Sequence, residues 1–354
     1  MDSGSSPQKA RATLSKRLEK SIGQLIKETV VTCRCDANYT NIKAKCYKCG
    51  KRCTVIWDFT RWVGDDGKLR IHVAGICCFD WSSRGKREGW MGTTSRVFAQ
   101  WLFERAMSQE DIILVECTRT FKPTILQDVL GETHSIHATI FSPLQMGMGV
   151  NRHRIYIVCL RKAKLRWAAP MDLAGTVKAL FFRHNVLHGS QYFRAPQEDI
   201  DKDVATLALK RGIDSEHEGI KLQHKHLIGA GYRLREQGYL RMVMESDKQL
   251  HDDDFDFIVD ISQYCNISGF TRHIPALARK GEPHSLTLRR PMLKGERCEA
   301  MGLPYYASAE VPFVNPIAHL VKRTGGWPAK FGNSMHSAAI GGVLMIALGC
   351  TVMV

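Results

Sequence analysis

Residues 71–85 carry the stretch Ile71-His72-Val73-Ala74-Gly75-Ile76-Cys77-Cys78-Phe79-Asp80-Trp81-Ser82-Ser83-Arg84-Gly85. A short β-branched run that ends in glycine is typical of a strand followed by a loop. The carboxyl ends of strands in open α/β sheets are where ligands bind and chemistry takes place. The stretch therefore predicts that Cys78 lies on a loop at a sheet edge, where positive charge would make its thiol a nucleophile. A buried structural cysteine is the alternative for this thiol taken alone.

Strands and helices alternate on either side of this stretch. Ile112–Val115 and Ile155–Leu160 are continuous apolar runs, typical of strands that are buried on both faces. The residues from Thr94 onward read as a helix whose apolar stripe includes Val97 and Phe98. This alternation predicts an α/β fold with a mostly parallel, doubly wound sheet.

The charge of the chain favours a polyanionic partner. The 354 residues carry a formal net charge of +15, and residues 1–54 alone have 12 Lys or Arg against 4 Asp or Glu. We therefore expect a nucleic acid first and an anionic membrane surface second. The first 30 residues read as a basic amphipathic helix with Leu18, Ile22, Leu25 and Ile26 at helical spacing.

Twelve cysteines occur without an apolar signal segment at the N-terminus. Free thiols in a reducing compartment are therefore expected in place of a disulfide scaffold. Residues 338–354 are almost wholly apolar, which favours a buried helix over a membrane span. Residues 161–285 are polar and weakly periodic, and they predict a second, less regular domain inserted into the first.

Three polar features mark the ends of successive predicted strands. They are Cys78, Glu116, and the pair Arg152 and Arg154 that precedes the last strand. A thiol, a carboxyl group and a guanidinium in one crevice suit covalent attack on an electron-poor ring. The thiolate can add to the ring, the carboxyl group can bind or protonate a ring nitrogen, and the guanidinium can hold an exocyclic oxygen. Their shared placement at strand ends is what favours a functional interpretation.

The order of these features resembles the cytosine-5 methyltransferases that use S-adenosylmethionine. The nucleophile loop of that family, G-x-P-C-Q-x-F/W-S-x-x-G, corresponds to Gly75–Gly85, and its E-N-V to Glu116–Thr118. Its P-Q-x-R-x-R corresponds to residues 149–154. Its late R-x-L-T-x-x-E and G-x-P patterns are echoed at residues 290–304, and its final G-N-S at residues 332–334. The resemblance covers about residues 50–350.

This resemblance implies a Rossmann-like, doubly wound methyltransferase sheet with an inserted, less regular target-recognition domain. Cys78 would attack carbon 6 of a cytosine flipped out of its stack. Glu116 would hold or protonate the ring N3, and Arg154 would contact O2 while Arg152 braces the loop. The positions implied for S-adenosylmethionine binding are Asp36, Asp58, Gly75, Asn333 and Ser334.

Some positions depart from the family pattern. Cys77 stands where the family has Pro, Phe79 where it has Gln, and Cys117 where it has Asn, and no F-x-G-x-G motif is present. The leading hypothesis is a DNA cytosine-5 methyltransferase. Two alternatives stay open: a catalytically impaired relative that binds nucleic acid, and an enzyme that methylates cytosine in transfer RNA.

A zinc-dependent nucleic-acid module is a third alternative. Cys33, Cys35, Cys46 and Cys49 have spacing compatible with a four-thiolate zinc site. The same stretch overlaps the region where the family has cofactor-side strands, so scattered thiols are the preferred interpretation.

The resemblance and the composition together predict four segments. They are a basic N-terminal segment (1–30), the S-adenosylmethionine-dependent catalytic domain (31–160), a target-recognition-like domain (161–285) and a C-terminal segment that completes the catalytic domain (286–354). DNA is the expected partner, with RNA as the alternative, and no membrane is expected as a partner. A DNA substrate implies the nucleus in a eukaryote and the cytoplasm otherwise.

Overall fold

The computed structural model describes residues 7–35, 43–45, 52–54, 67–76, 80–82, 85, 88–213, 222–246, 256–278, 280–306 and 334–354. In the first three ranges, side chains are described only for residues 13–28. The helices in these ranges are α1 (Pro7–Cys35), α2 (Ser95–Ser108), α3 (Thr124–Leu130), α4 (Leu173–Phe181), α5 (Gln197–Lys210), α6 (His224–Leu227), α7 (Ala230–Glu245), α8 (Lys294–Ala300) and α9 (Ser337–Gly349). The strands are β1 (Lys43–Lys45), β2 (Arg52–Thr54), β3 (Ile71–Gly75), β4 (Ile112–Thr118), β5 (His134–Phe141), β6 (Arg154–Arg161), β7 (Leu165–Trp167), β8 (Ile258–Asp260), β9 (Pro283–Ser285), β10 (Arg290–Pro291) and β11 (Thr351–Met353).

The chain divides into two units. The first unit comprises residues 1–140, 154–177 and 343–354, and the second comprises residues 141–153 and 178–342. The four segments predicted from the sequence have different boundaries and stay a prediction.

A four-stranded sheet with the order β3-β4-β6-β5 forms the centre of the first unit. β3 and β4 are parallel, and α2 lies between them in the chain, which is the crossover that parallel strands require. The prediction of an α/β fold is thereby confirmed. β6, in contrast, runs antiparallel to β4. In the described part of the chain the sheet is therefore mixed, whereas the sequence predicted a mostly parallel one.

One face of this sheet is covered by helices. Val115 on β4 and Phe98 and Leu102 on α2 belong to one apolar core, against which Ile22 and Ile26 of α1 also pack. Each such side chain contributes about 1.5–3 kcal/mol when it is fully buried. The basic amphipathic helix predicted for the N-terminal segment is present as α1.

The second unit contains the antiparallel sheet β10-β9-β8 and several helices. Its main core joins Val150, Ile258, Ile274 and Met292. Between residues 161 and 285 the described chain contains α4 to α7, so this region is more helical than its weak periodicity indicated. Its helices instead carry local polar pairs, such as the ion pair between Lys202 and Glu198 on α5, which stabilise solvated helices.

The apolar C-terminal stretch forms α9 and then β11. β11 pairs antiparallel with β7, with Thr351 opposite Trp167. No helix in the described ranges is both long and apolar enough to cross a membrane.

Candidate active site

The register of three strands brings Gly75, Glu116 and Arg154 to one edge of the sheet. Gly75, the last residue of β3, lies opposite Glu116 in the parallel pair. Arg154, the first residue of β6, lies opposite Thr118 at the end of β4. Because β6 runs antiparallel to β4, its first residue reaches the edge at which β3 and β4 end.

Glu116 and Arg154 form an ion pair at this edge. Arg154 Nε lies 3.0 Å from Glu116 Oε1, and the two side chains are 15% and 5% exposed. Tyr156, two residues after Arg154, lies directly opposite Glu116, so all three side chains share a face of the sheet. A carboxyl group here can bind or protonate a ring nitrogen, and guanidinium N–H groups can donate to an exocyclic oxygen.

The loop that contains the predicted nucleophile is anchored at both ends. Cys78 itself lies outside the described residues, as do Cys77 and Phe79. Before it, the Ile76 amide donates to the Glu116 carbonyl at 2.9 Å. After it, the buried carboxylate of Asp80 accepts from the Thr94 amide at 2.8 Å.

Asp80 is a positioning residue that the sequence did not single out. Its side chain is fully buried, and it also accepts from the Thr94 hydroxyl. A Cβ atom at Gly92 would lie 2.0 Å from the Asp80 carboxyl carbon, so glycine is needed there for this close approach. The only signal in the sequence was a lone Asp two residues after Cys78.

Trp81 holds the segment that follows in an aromatic cluster. Its ring meets Trp90, Phe98 and Phe121 edge to face, with centroids 5.7–5.8 Å apart. The Thr120 hydroxyl donates to the Trp81 carbonyl at 2.6 Å. Trp81, three residues after the predicted nucleophile, therefore belongs to the apolar core of the first unit.

Cys117 stands where the family that the motifs resemble has Asn, and its thiol contacts Ile76, the residue directly after β3. It is buried, and its Sγ donates to the Ile76 carbonyl at 3.8 Å. An S–H group is a weaker donor than an amide N–H, so this hydrogen bond between β4 and the residue after β3 is a weak one.

Arg152 is placed differently from Arg154. It belongs to the second unit and is 1% exposed. Its guanidinium donates to the Leu277 carbonyl at 3.3 Å and to the Ser334 carbonyl at 2.6 Å. The side chain thus ties the loop at residues 151–153 to the segment that leads into α9.

His336 directly precedes α9 and is a second residue that sequence reasoning missed. It is 1% exposed, and its Nδ1 accepts from the Ala339 amide at 3.4 Å as an N-cap. Burial, followed by the nearby Arg152 charge, lowers the pKa of His336 to about 4. A polar residue directly before an apolar helix was the signal that could have found it.

Arg290 and Glu296, which belong to the pattern at residues 290–304, form a buried ion pair in the second unit. The Arg290 guanidinium donates two bonds to the Glu296 carboxylate, at 2.8 and 2.6 Å. Glu296 also accepts from the amides of Leu293, at 2.8 Å, and Ala195, at 2.9 Å. Its carboxylate therefore links β10, the start of α8 and the segment before α5.

Several predicted site residues cannot be placed. Asp36, Asp58, Asn333, Cys46 and Cys49 lie outside the described residues, and Cys33 and Cys35 have a described backbone only. Gly75 lies at the carboxyl end of β3, and the Ser334 carbonyl is bound by Arg152. Within the described ranges no cluster of three or more His, Cys, Asp or Glu could hold a metal ion.

No protein family model matches the chain, and no curated protein matches it. Similar solved structures include the Entamoeba histolytica methyltransferase EhMeth and the S. pombe Dnmt2 methyltransferase. Each is 12% identical to this chain, with a TM-score of 0.40, and each match covers 79% of this chain. The match covers 76% of the EhMeth chain and 78% of the Dnmt2 chain. Another is a putative DNA modification methyltransferase from an E. coli prophage, with 11% identity, a TM-score of 0.39 and 79% coverage of both chains. These structures are named as methyltransferases.

Proposed function

We propose that this chain transfers a methyl group from S-adenosylmethionine to carbon 5 of cytosine in DNA, through a covalent adduct with Cys78. The observation that carries the proposal is the ion pair of the buried Glu116 and the partly buried Arg154 at the sheet edge where β3 ends, three residues before Cys78. A carboxyl group and a guanidinium at this edge match the acid and the oxygen-binding group that addition to cytosine requires.

The chemistry assigns one role to each side chain. The Cys78 thiolate bonds to carbon 6, and Glu116 binds or protonates N3, so the electron pair of the 5,6 double bond becomes available at carbon 5. Arg154 donates to O2 and stabilises the charge that develops there. After carbon 5 has taken the methyl group, its proton leaves to a base and the electron pair re-forms the double bond as the thiolate departs.

S-adenosylmethionine supplies an electrophilic methyl group when it is bound. Gly75 suits its site, because it ends β3 at the sheet edge where α/β folds bind ligands. Asp36, Asp58, Asn333 and Ser334 are the other residues that we propose hold the cofactor. In the second unit, Arg152 would position the last of these through its carbonyl.

A catalytically impaired protein that binds nucleic acid is the second candidate. Cys77 and Phe79 replace the Pro and Gln of the family loop, and the Cys117 contact with Ile76 is 3.8 Å long. Weak support of the loop would slow attack by Cys78 without preventing binding. The anchors at Asp80 and Trp81 favour the active interpretation, because they fix the chain directly after the nucleophile.

The decisive experiment traps the covalent adduct. A DNA duplex that contains 5-fluorocytosine is incubated with the full chain and S-adenosylmethionine, and adducts are resolved by denaturing electrophoresis and mass spectrometry. The carbon 5 fluorine cannot leave as a proton does, so the enzyme stays attached after methyl transfer. We expect the adduct with the parent chain and with Cys77→Ser, and none with Cys78→Ser.

Two controls separate the alternatives. Adduct formation by Cys78→Ser but not by Cys77→Ser would reassign the nucleophile. The same trap built into a transfer RNA tests the RNA alternative, since a faster reaction there would change the substrate class. Binding of DNA without any adduct, together with no detectable S-adenosylmethionine in isothermal titration, would leave the impaired protein as the function.

A further inference from the structure

β5 forms one edge of the four-stranded sheet in the first unit. In the order β3-β4-β6-β5 it has β6 on one side, and no described strand pairs with its other side. Within the described ranges, residues 135–140 make no backbone hydrogen bond outside the sheet. The amides and carbonyls on the outer side of β5 can therefore accept another strand.

Nothing in the sequence of β5 protects this edge. The strand has eight residues and contains no Lys, Arg, Asp, Glu, Pro or Gly, whereas a typical strand has about five or six residues. Burial lowers the pKa of the His134 and His137 rings, so neither ring adds a charge at about pH 7. Edges that stay free in natural proteins usually carry a charge, a proline or a bulge. β5 has no such residue and is suited to pairing.

One face of β5 carries an apolar row that reads the same in both directions. Ile136, Ala138 and Ile140 alternate along the strand and so share a face. Ala138 and Ile140 are exposed, whereas Ile136 is half-buried against the core of the first unit. The opposite face is covered at His137, whose ring stacks on Trp167 of β7 with centroids 5.1 Å apart. The free surface of β5 is therefore its outer edge together with this row.

Antiparallel pairing of β5 with itself about Ala138 matches the row. A two-fold axis through Ala138, perpendicular to the sheet, places Ala138 opposite its own copy and Ile136 opposite Ile140 of the second copy. Side chains directly opposite in antiparallel strands have Cβ atoms about 4.5–5.5 Å apart, so both isoleucine pairs are in contact. An axis through His137 or Thr139 would place Ala138 opposite an isoleucine and lose both pairs. This self-complementarity is what a closed two-fold interface requires.

We propose that β5 pairs antiparallel with β5 of a second copy of this chain, which forms a two-fold dimer with a sheet that is continuous through both first units. The edge offers main-chain groups and a short apolar row, and another strand satisfies both. A partner recognised by charge is not favoured, because β5 contains no Lys, Arg, Asp or Glu. The inference does not depend on the reaction that we propose for the candidate site.

The small size of the interface predicts a weak dimer. One pair of strands falls at the low end of interface sizes, below about 1,200 Å², so we expect a dissociation constant in the micromolar range. Each copy carries a net charge of +15, so two copies repel each other at a distance. Salt screens this repulsion, with a Debye length of about 10 Å at about 0.1 M. The dimer should therefore become tighter as the salt concentration increases.

The test is sedimentation velocity of the full chain, from about 1 to about 100 µM, which spans the expected dissociation constant. Ala138→Lys places two like charges directly opposite each other at the axis and should weaken the dimer by at least about 10-fold. Ala138→Glu alone should weaken it equally. An equimolar mixture of the two variants should restore the dimer, because opposite charges then meet at the axis. A restored dimer also shows that both variants are folded.

A milder variant tests the apolar row without adding a charge. Ile140 is 51% exposed, and threonine keeps the β-branched shape that favours a strand. Because the axis repeats the contact, Ile140→Thr removes an apolar side chain from both isoleucine pairs and should weaken the dimer by about 5-fold. An unchanged dissociation constant would show that the row does not lie in the interface.

The matched control is Val73→Lys, which places the same charge on β3 at the opposite edge of the sheet, where Val73 is 40% exposed. We expect it to leave the dissociation constant unchanged. A parent chain that stays monomeric at about 100 µM would overturn the proposal. A dimer that Val73→Lys disrupts and Ala138→Lys does not would also overturn it, as would a dimer that weakens as salt is added, because attraction between unlike charges would then hold it together.

Discussion

Arg154 Nε lies 3.0 Å from Glu116 Oε1, across two strands that are neighbours in the sheet and antiparallel. The register of β4 and β6 sets this relationship, and no loop is involved. A slip by one residue would turn Arg154 to the opposite face of the sheet. The candidate acid and its partner are therefore held as rigidly as the core strands that carry them.

We expect Glu116→Gln to slow methyl transfer by about 10²- to 10⁴-fold, the range typical of losing a general acid or base. The amide keeps the shape of the carboxyl group but removes its charge. Loss of the partner charge for Arg154 should lower the free energy of unfolding by about 1–3 kcal/mol. Single-turnover methyl transfer and urea denaturation measure the two effects.

Glu236→Gln is the matched control for this variant. Glu236 is also buried, and Arg289 binds its carboxylate at 2.9 Å in the second unit. The Glu236→Gln variant should have a lower free energy of unfolding without a comparable decrease in the rate of methyl transfer. If both variants lost the same rate, the effect of Glu116→Gln would be one of stability and not of chemistry.

Gly92→Ala should destabilise the first unit by about 2 kcal/mol or more, because the new methyl group would overlap the Asp80 carboxylate. Asp80→Ala alone should cost about 1–3 kcal/mol, since the Thr94 amide loses its acceptor. In the double variant the overlap is relieved. We expect the double variant to lose less free energy of unfolding in urea than the sum of the two single losses, by about 1 kcal/mol. Strictly additive losses would contradict direct contact between the two residues.

The buried strands could be predicted from the sequence, because a continuous apolar run needs no partner to be recognised. β4 and β6 are such runs, and each extends the predicted range by a few residues. The antiparallel direction of β6 could not be predicted from hydrophobicity, since a strand buried on both faces has the same pattern in either direction. The motif order nevertheless placed Glu116 and Arg154 at strand ends.

Helix faces were predicted less well, because adjacent apolar residues differ by about 100° around a helix. In α2 Phe98 is buried while Val97 is 73% exposed, and in α1 Ile26 is buried while Leu25 is 62% exposed. Polar anchors such as Asp80 were missed for another reason. A lone polar residue has no periodicity, and its role depends on partners that only the fold brings near.

Arg290→Met should lower the free energy of unfolding by about 3–5 kcal/mol, because it leaves the Glu296 carboxylate buried without its partner. Lys202→Met removes an ion pair whose side chains are 66% and 78% exposed, so it should leave the free energy of unfolding nearly unchanged. Chemical denaturation of both variants checks the contrast. Similar losses would mean that the Arg290 pair is not a structural brace.

The final prediction concerns the pH dependence of stability. His336 has a pKa of about 4 in the folded chain, against about 6.5 for an unfolded histidine. The unfolded state therefore binds the proton more tightly, so stability is complete above about pH 6.5 and is lost as the pH falls toward 4. At about pH 5 the loss from this residue alone is about 2 kcal/mol.

His336→Asn isolates this effect, because asparagine retains an N-cap acceptor for the Ala339 amide but does not titrate. Burial also lowers the pKa of His72 to about 4, but His72 contributes equally to both proteins. The free energy of urea unfolding between about pH 7 and pH 5 should therefore fall less steeply in the variant, by about 2 kcal/mol. Parallel pH profiles would show that His336 is protonated as readily in the folded chain as in the unfolded one, which its burial beside Arg152 argues against.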